Sequence, residues 1–338
     1  MSRTVVLIPG DGIGPEVCEA VVRVVEAAGA DLDWESHFAG TAALEAGEES
    51  VLPESTLAAI REHRVALKGP CTTPIAGGFA SVNVALRKGL DLYAAVRPVR
   101  SLEGVATRFE DVDLVVIREN TEGLYSGIEN EVTEGVVTSL KVATVGACRR
   151  ISRFALDYAR ARQRRKVTVL HKANIMKKTD GLFLDCARAV FEGSGVEYEE
   201  RIIDAACMQL VRDPTQFDVL LCENLYGDVV SDLCAGLVGG LGVTPGANFG
   251  QTCAVFEAVH GSAPDIAGRD LANPLALLMS AVMLLNHLAE QEHEEPYRGA
   301  ALRIRAAYDG ALRAGARTRD IGGELGTRAF SEAILERL

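Results

Sequence analysis

"TVVLIPGDGIGPEVCEAVVRVVEAAGA", residues 4–30, decides the fold. A Val/Leu/Ile run with strand character leads through a glycine-rich turn into a segment whose apolar residues recur with helical period. The couplet returns in "KVTVLHKAN" (166–174) followed by "TDGLFLDCARAVFEGSG" (179–195). It returns again in "FDVLLCENLYGD" (217–228) followed by "VVSDLCAGLVGGLG" (229–242). Strands alternating with helices predict an α/β architecture around a largely parallel sheet. "GLYSGIENEVTEGVVTSLKVAT" (123–144) breaks the rhythm, because its β-prone pieces have no helix between them, and reads as a two-stranded arm.

Gly10, Gly12 and Gly14 sit between the first strand and helix and invite a dinucleotide-loop reading. The fingerprint G-x-G-x-x-G requires glycine at position 15, where this chain has Pro15, a residue suited to a first helical turn. A tight strand-to-helix turn is the favoured reading.

The 338 residues, 48% of them hydrophobic, suffice for one large domain or two. Thirty-five Lys and Arg against 47 Asp and Glu give a formal charge of −12, which repels phosphate backbones and argues against nucleic acid. The eight cysteines form no C-x-x-C pair and read as free thiols. With no signal-type or transit-type leader at the N-terminus, they suit a reducing cytoplasm. The longest apolar stretch, "NPLALLMSAVMLLNHLAE" (273–290), is interrupted by Ser280, Asn286 and His287. It falls short of a membrane span of roughly 20 residues and reads as a core helix.

Chemistry-bearing residues fall in five segments. Asp228 and Asp232, four apart in a helical segment, project from one face; like charges so close suit a divalent cation, although a solvated helix face gives the same pattern. Asp204, ending the strand-like run in "RIIDAAC", is a third candidate ligand or a helix cap. Lys172 and Asn174 follow a strand at its carboxyl end, where open α/β sheets bind ligands, and His171 beside them reads as structural. "VVIRENTEGLY" ends another strand with Arg118, Glu119, Asn120 and Tyr125. "SVNVALRKGLDLYAAVRP" (81–98) adds Ser81, Asn83, Arg87 and Arg97. Three arginines, a serine and an asparagine for carboxylates, three aspartates for a metal, and a Lys and a Tyr for proton transfer describe a site for a small, highly carboxylated substrate.

Taken together, "IPGDGIGPE", "LDLYAAVRP", "VVIRENTEGLYSGIE", "HKANIMKKTDGLF", "NLYGDVVSDLCAGLVGGLG" and "HGSAPDIAGRDLANP" resemble the metal-dependent β-decarboxylating dehydrogenases, the isocitrate/isopropylmalate dehydrogenase family. "SVNVALRK" and "YSGIE" are most similar to its NAD-dependent, isocitrate-oxidising members. The resemblance implies an isocitrate/isopropylmalate dehydrogenase-like fold, not a Rossmann fold. It implies a large open α/β domain from residues 1–98 and 240–338 and a smaller α/β domain from 99–239 that carries an intersubunit clasp at about 124–142. The active site would lie in the cleft between them.

The same resemblance implies substrate contacts from Ser81, Asn83, Arg87, Arg97, Arg118, Tyr125 and Lys172. Mg2+ or Mn2+ would be held by Asp228 and Asp232 of one subunit and Asp204 of its neighbour, which would also supply Lys172, so the active unit is at least a homodimer. Tyr125, Lys172 and Asp204 would be catalytic. NAD would meet Thr73, Asn174, Glu257, His260, Gly261, Asp265, Ile266, Asn273 and Asp320. NADP-using relatives carry Lys and Tyr at the positions of Asp265 and Ile266 and Arg at that of Gly323, while Arg319 stands where they place a phosphate-binding Tyr. Isocitrate is the implied substrate, converted to 2-oxoglutarate and CO2. Homoisocitrate is the alternative, as is a non-catalytic regulatory subunit.

Overall fold

A computed structural model describes residues 2–72 and 81–338. Thr73 lies outside the described residues. The strands are β1 (Arg3–Ile8), β2 (Leu32–Ser36), β3 (Val65–Lys68), β4 (Ala94–Arg100), β5 (Asp113–Glu119) and β6 (Gly123–Thr133). They continue with β7 (Val136–Val142), β8 (Lys166–His171), β9 (Glu197–Ile202), β10 (Val219–Cys222), β11 (Pro245–Phe249) and β12 (Ala254–Ala258). The helices begin with α1 (Gly14–Ala27), α2 (Thr41–Glu45), α3 (Glu54–His63), α4 (Val82–Gly89), α5 (Val145–Ala161) and α6 (Thr179–Phe191). The later ones are α7 (Ile203–Arg212), α8 (Asn224–Val238), α9 (Leu275–Glu292), α10 (Glu295–Arg313) and α11 (Thr327–Leu335).

Ten strands form one sheet in the order β2-β1-β3-β12-β11-β4-β5-β10-β8-β9. Six of its nine pairings are parallel, as the strand–helix alternation predicts. The exceptions are central: β11 and β4 each run antiparallel to both neighbours. This order is not that of the doubly wound dinucleotide fold, whose strands run 3-2-1-4-5-6. The apolar stretch 273–290 forms most of α9, which buries residues on nearly every side of the helix. α9 packs on β11 and β12, and α5 packs on β5 and β10.

The turn at residues 9–14 is a junction of three loops. Asp11 is buried, and its carboxylate accepts hydrogen bonds from the backbone N–H groups of Thr41 (3.0 Å), Ala42 (2.7 Å) and Thr72 (2.5 Å) and from the Thr41 hydroxyl (2.9 Å). Gly12, at φ +60°, approaches Ser262 so closely that a Cβ would stand 2.0 Å from its carbonyl oxygen. A turn filled by its own protein neighbours in this way is the structural turn expected from Pro15.

β6 and β7 form the expected two-stranded arm, separate from the main sheet. Val132 and Val137 on it are each 66% exposed. All eight cysteines are free. Among the described residues no helix is long and apolar enough to cross a membrane.

Candidate active site

Register aligns one row of polar groups across the central strands. Lys68 pairs with Glu257, Glu257 with Gly246, Asn248 with Ala95, and Ala95 with Arg118. Cross-strand partners share a face, and residues two apart on one strand do too. Lys68, Glu257, Asn248, Arg97 and Arg118 therefore rise from one side of the sheet, while Gly246 and Ala95 leave open floor between them. The cavity above this floor measures about 280 Å3 and is lined also by Ser81, Asn83, Arg87, Tyr125, Asp228, His260 and Gly261.

α4 delivers Ser81, Asn83 and Arg87 from above; α8 delivers Asp228 and Asp232 from the side. Close packing of α8 on β5 requires Gly227, whose Cβ would stand 2.6 Å from Arg118 Cβ. Arg118 is fully buried and donates through Nε (3.0 Å) and one terminal nitrogen (2.7 Å) to Asn224 Oδ1; its other terminal nitrogen is ion-paired to Asp228. Tyr125 Oη donates to Asp228 at 2.5 Å, and its ring lies 5.1 Å from the Arg118 guanidinium. Arg97 donates to Ser231 and stands 3.5 Å from Asp228 and 3.4 Å from Asp232.

The electrostatics follow from crowding. Burial, then the charges of Arg97 and Arg87, push the Arg118 guanidinium down to about 10. Burial and the Arg87 charge lower Arg97 likewise. Burial alone would raise the Asp228 carboxyl, but Arg118, the Tyr125 hydrogen bond, Arg97 and Arg87 outweigh it and hold it below its usual range. Asp232 goes the other way: burial and the Asp228 charge raise it against the pull of Arg97. Tyr125 is raised by burial and by its bond to Asp228, which keeps the phenol protonated. Asn83 Oδ1, Arg87 Nε and His260 Nε2 are buried without a hydrogen-bond partner among the described residues. Buried polar atoms are normally paired, so these three mark where ligand atoms belong.

Asp228 and Asp232 offer hard oxygen donors on one helix face, and a cation would relieve the mutual repulsion that raises Asp232. They fit a Mg2+- or Mn2+-type ion, but as part of a shell only: among the described residues no cluster of three metal-ligating side chains exists. The third expected ligand, Asp204, opens α7 and instead accepts a hydrogen bond from Lys172 Nζ at 2.6 Å. Lys172, Asp204 and Asn174 do not line the cavity of this chain. β8 and α7 carry this group away from the cleft of its own chain, where the resemblance expected Lys172 and Asp204 to serve a neighbouring subunit. The Lys172 backbone N–H is fixed by buried Asp180 (2.7 Å), which also pairs with Lys141 of the arm (2.5 Å). Lys141 pairs in turn with Glu223, whose carboxyl burial pushes up to about 7.

Of the residues expected at a dinucleotide, Glu257, His260 and Gly261 line the cavity. Burial and the Lys68 charge lower His260 and keep it neutral. Asp265 and Ile266 lie on a short 3-10 turn after it, and the exposed Asp265 carboxylate takes no hydrogen bond among the described residues. Asn273 donates to Asp320 at 3.0 Å, and Thr318 donates to its other oxygen at 2.6 Å, so Asp320 is not paired with Arg319.

Sequence reasoning missed Lys68. It is fully buried, 2.7 Å from Glu257, which also accepts from Asn248 at 2.7 Å and lies 3.5 Å from Arg87. Burial would raise the Glu257 carboxyl, yet Lys68 and Arg87 pull it down to about 2. Removing one partner of a buried pair leaves a stranded charge, so Lys68→Met is expected to destabilise the fold by about 3 kcal/mol. Lys68→Met/Glu257→Gln should recover most of that loss in urea unfolding. Equal stability of wild type and Lys68→Met would remove the pair from the fold's support.

An open α/β sheet whose first strand-to-helix turn is closed by its own neighbours, and a cleft in which three crowded arginines face a pair of helical aspartates, suit small polycarboxylates beside a cation. Comparison with known proteins narrows the field. Residues 4–334 match the model of the isocitrate/isopropylmalate dehydrogenase family. The Arabidopsis thaliana protein named isocitrate dehydrogenase [NAD] catalytic subunit 5, mitochondrial, is 51% identical over 99% of this chain and 88% of its own. Its human counterpart named subunit alpha is 49% identical over 99% and 90%. The crystal structure of isocitrate dehydrogenase from Methylococcus capsulatus superposes with a TM-score of 0.92 at 48% identity, covering 100% of this chain and 99% of that one. The chain belongs to the isocitrate/isopropylmalate dehydrogenase family.

Proposed function

We propose that the protein oxidises isocitrate with NAD and decarboxylates the product to 2-oxoglutarate and CO2. The observation that carries this reading is the crowding of Arg87, Arg97 and Arg118 around unpartnered buried atoms of Asn83 and Arg87, beside the Asp228/Asp232 pair. The relatives' names, NAD-dependent catalytic and alpha subunits of isocitrate dehydrogenase, support the same substrate and cofactor. Comparing kcat/KM for isocitrate, homoisocitrate, 3-isopropylmalate and tartrate tests it. One methylene is worth about 1 to 3 kcal/mol in a pocket, so homoisocitrate is the expected second-best substrate; a preference for isopropylmalate would overturn the assignment.

In this reading the three arginines clamp carboxylates bidentately, with Ser81 and Asn83 completing the hydrogen bonds. Lys172 of the partner subunit, held by Asp204 of the partner subunit, takes the substrate's hydroxyl proton directly or through water. Asp228 and Asp232 would hold a divalent ion, which would supply Lewis acidity, and Glu257, His260 and Gly261 would help hold NAD, which would supply the hydride acceptor. Tyr125 delivers a proton to the substrate carbon after CO2 departs, its phenol aimed by Asp228 and Arg118. Tyr125→Phe is accordingly expected to lose about 10² to 10⁴ in overall turnover while still reducing oxalosuccinate with NADH. Parallel loss of both activities would reject the acid role.

The cofactor side rests on Asp265 and Gly323. A 2′-phosphate would meet the free Asp265 carboxylate as a like charge. At Gly323 a Cβ would stand 2.0 Å from the Arg317 carbonyl oxygen, so the phosphate-binding Arg of NADP users does not fit there. We expect NAD to be favoured over NADP by about a hundredfold in kcat/KM, equivalent to roughly 2.7 kcal/mol, despite Arg319. Asp265→Lys/Ile266→Tyr should narrow the gap; wild-type preference for NADP would refute the assignment.

The two-domain division at residues 98/99 and 239/240, the role of the arm as an intersubunit clasp, and a homodimer with shared sites are parts of the same proposal. The exposed valines of the arm support an apolar partner surface. The free cysteines support a reducing compartment, the cytoplasm in this proposal; the Arabidopsis and human relatives are named as mitochondrial.

A further inference from the structure

Behind the sheet, on the side away from Arg97 and Asn248, a second cavity of about 950 Å3 opens between α5 and α9. Its size falls in the roughly 300 to 1,000 Å3 range of sites for small organic ligands. The alternation of β4 and β11 places it there: Pro98 and Phe249 face it, and their chain neighbours Arg97 and Asn248 face the cleft.

One wall is aromatic. Phe154 lies 5.9 Å from the Tyr93 ring, 6.4 Å from Tyr158 in a stacked pair, and 5.6 Å from Phe249, which is itself 5.6 Å from His287. The hydroxyls of Tyr93 and Tyr158 and the ring nitrogens of His287 make no hydrogen bond among the described residues, although burial raises both phenols and lowers the imidazole.

The rim is basic in a chain of net charge −12. Five arginines line the cavity against three carboxylates, Asp157, Glu290 and Glu292. Arg150 is paired with Asp91 (2.7 Å), Arg162 with Glu290 (2.5 Å) and Arg3 with Glu292 (2.9 Å). The side chains of Arg64 and Arg153 have no partner among the described residues, and both are exposed at the mouth. Flat aromatic walls suit a flat apolar body, and unpaired guanidiniums suit an anion bound through paired N–H groups.

We propose that this cavity is a second ligand site, distinct from the isocitrate cleft, for a small planar aromatic anion: ring against Phe154, Tyr158 and Phe249, anionic group on Arg64 and Arg153. It stands independently of the proposed catalytic activity.

The test is calorimetric titration of the full chain with 1-naphthyl phosphate under saturating NAD, so that the nucleotide cleft is occupied. One saturable site per chain is expected. Arg64→Gln/Arg153→Gln should weaken it at least about tenfold, and uncharged 1-naphthol should bind the wild type correspondingly weakly. Ala161→Trp, at an exposed lining position, should obstruct the cavity beside Tyr158 and weaken binding. All substitutions lie on exposed residues, and their unfolding midpoints provide the folding control. Absence of saturable binding under saturating NAD overturns the proposal, as does equal affinity of wild type and all variants.

Discussion

Asp228→Asn is expected to reduce kcat for isocitrate by at least about 10³-fold, because one carboxylate serves three neighbours whose geometry depends on its charge. Asp228 neutralises Arg118, accepts the hydrogen bond of the Tyr125 hydroxyl at 2.5 Å and, in the proposed function, would offer an oxygen to the cation. Asparagine keeps the shape but turns an N–H2 toward either the guanidinium or the phenol, and it is a poor ligand for a hard divalent ion. Arg118 would then be buried without the carboxylate that neutralises it. Calorimetric titration with Mn2+ separates the effects: weakened metal binding with an unchanged unfolding midpoint locates the loss at the ion. Asp232→Asn should do less damage, since that side chain is 55% exposed and its one ion-pair partner among the described residues is Arg97. Near-normal turnover of Asp228→Asn at low Mg2+ would remove Asp228 from the ligands.

The second large effect is a recovery. Lys172→Ala and Asp228→Asn should each be inactive, yet their co-expressed mixture should regain roughly a quarter of wild-type activity if active sites are shared across a two-fold axis. Random pairing makes about half of the dimers mixed. A mixed dimer has one site with both defects and one with neither. The structure motivates the test, because the Lys172–Asp204 pair lies off the cleft of its own chain and Asp204 is widely exposed. Sites built within one chain would give no recovery above the separate variants, and that result would discard the shared-site reading.

Much of the cleft was legible because its residues sit at places with local signatures. Arg118 stands at the end of an apolar strand, with Tyr125 just beyond it at the start of the arm; Asp228 and Asp232 stand four apart in a helix; the turn before α1 declares itself through Pro15. Lys68 had no such signature. "VALK" reads as a strand ending in a surface lysine, and its burial comes from β12, a strand nearly two hundred residues away in sequence. The reversal at β11 and β4 was hidden for a related reason: alternation of strands and helices predicts parallel pairing, and strand direction is set by which distant edge each segment joins. The four-residue connection between β11 and β12, "GQTC", was the available clue, too short for a parallel crossover. The placement of Lys172 and Asp204 outside the cleft of their own chain could not be read from local pattern, since the segments that carry them follow the same strand–helix rhythm as the others.

The pairing of Val65 with Ala254 sets a timetable for the growing chain. β1 and β2 can join β3 early, but the other edge of β3 stays open until β12 has been made. At about 5 to 20 residues per second, that interval lasts roughly ten to forty seconds of synthesis. Throughout it the nascent protein carries an unsatisfied row of backbone donors and acceptors next to apolar Leu67, and Lys68 waits for the carboxylate that will neutralise it. The N-terminal third would thus offer holding factors at the ribosome an open edge, and synonymous changes that slow translation between residues 70 and 254 should lower the yield of folded protein without altering a single side chain.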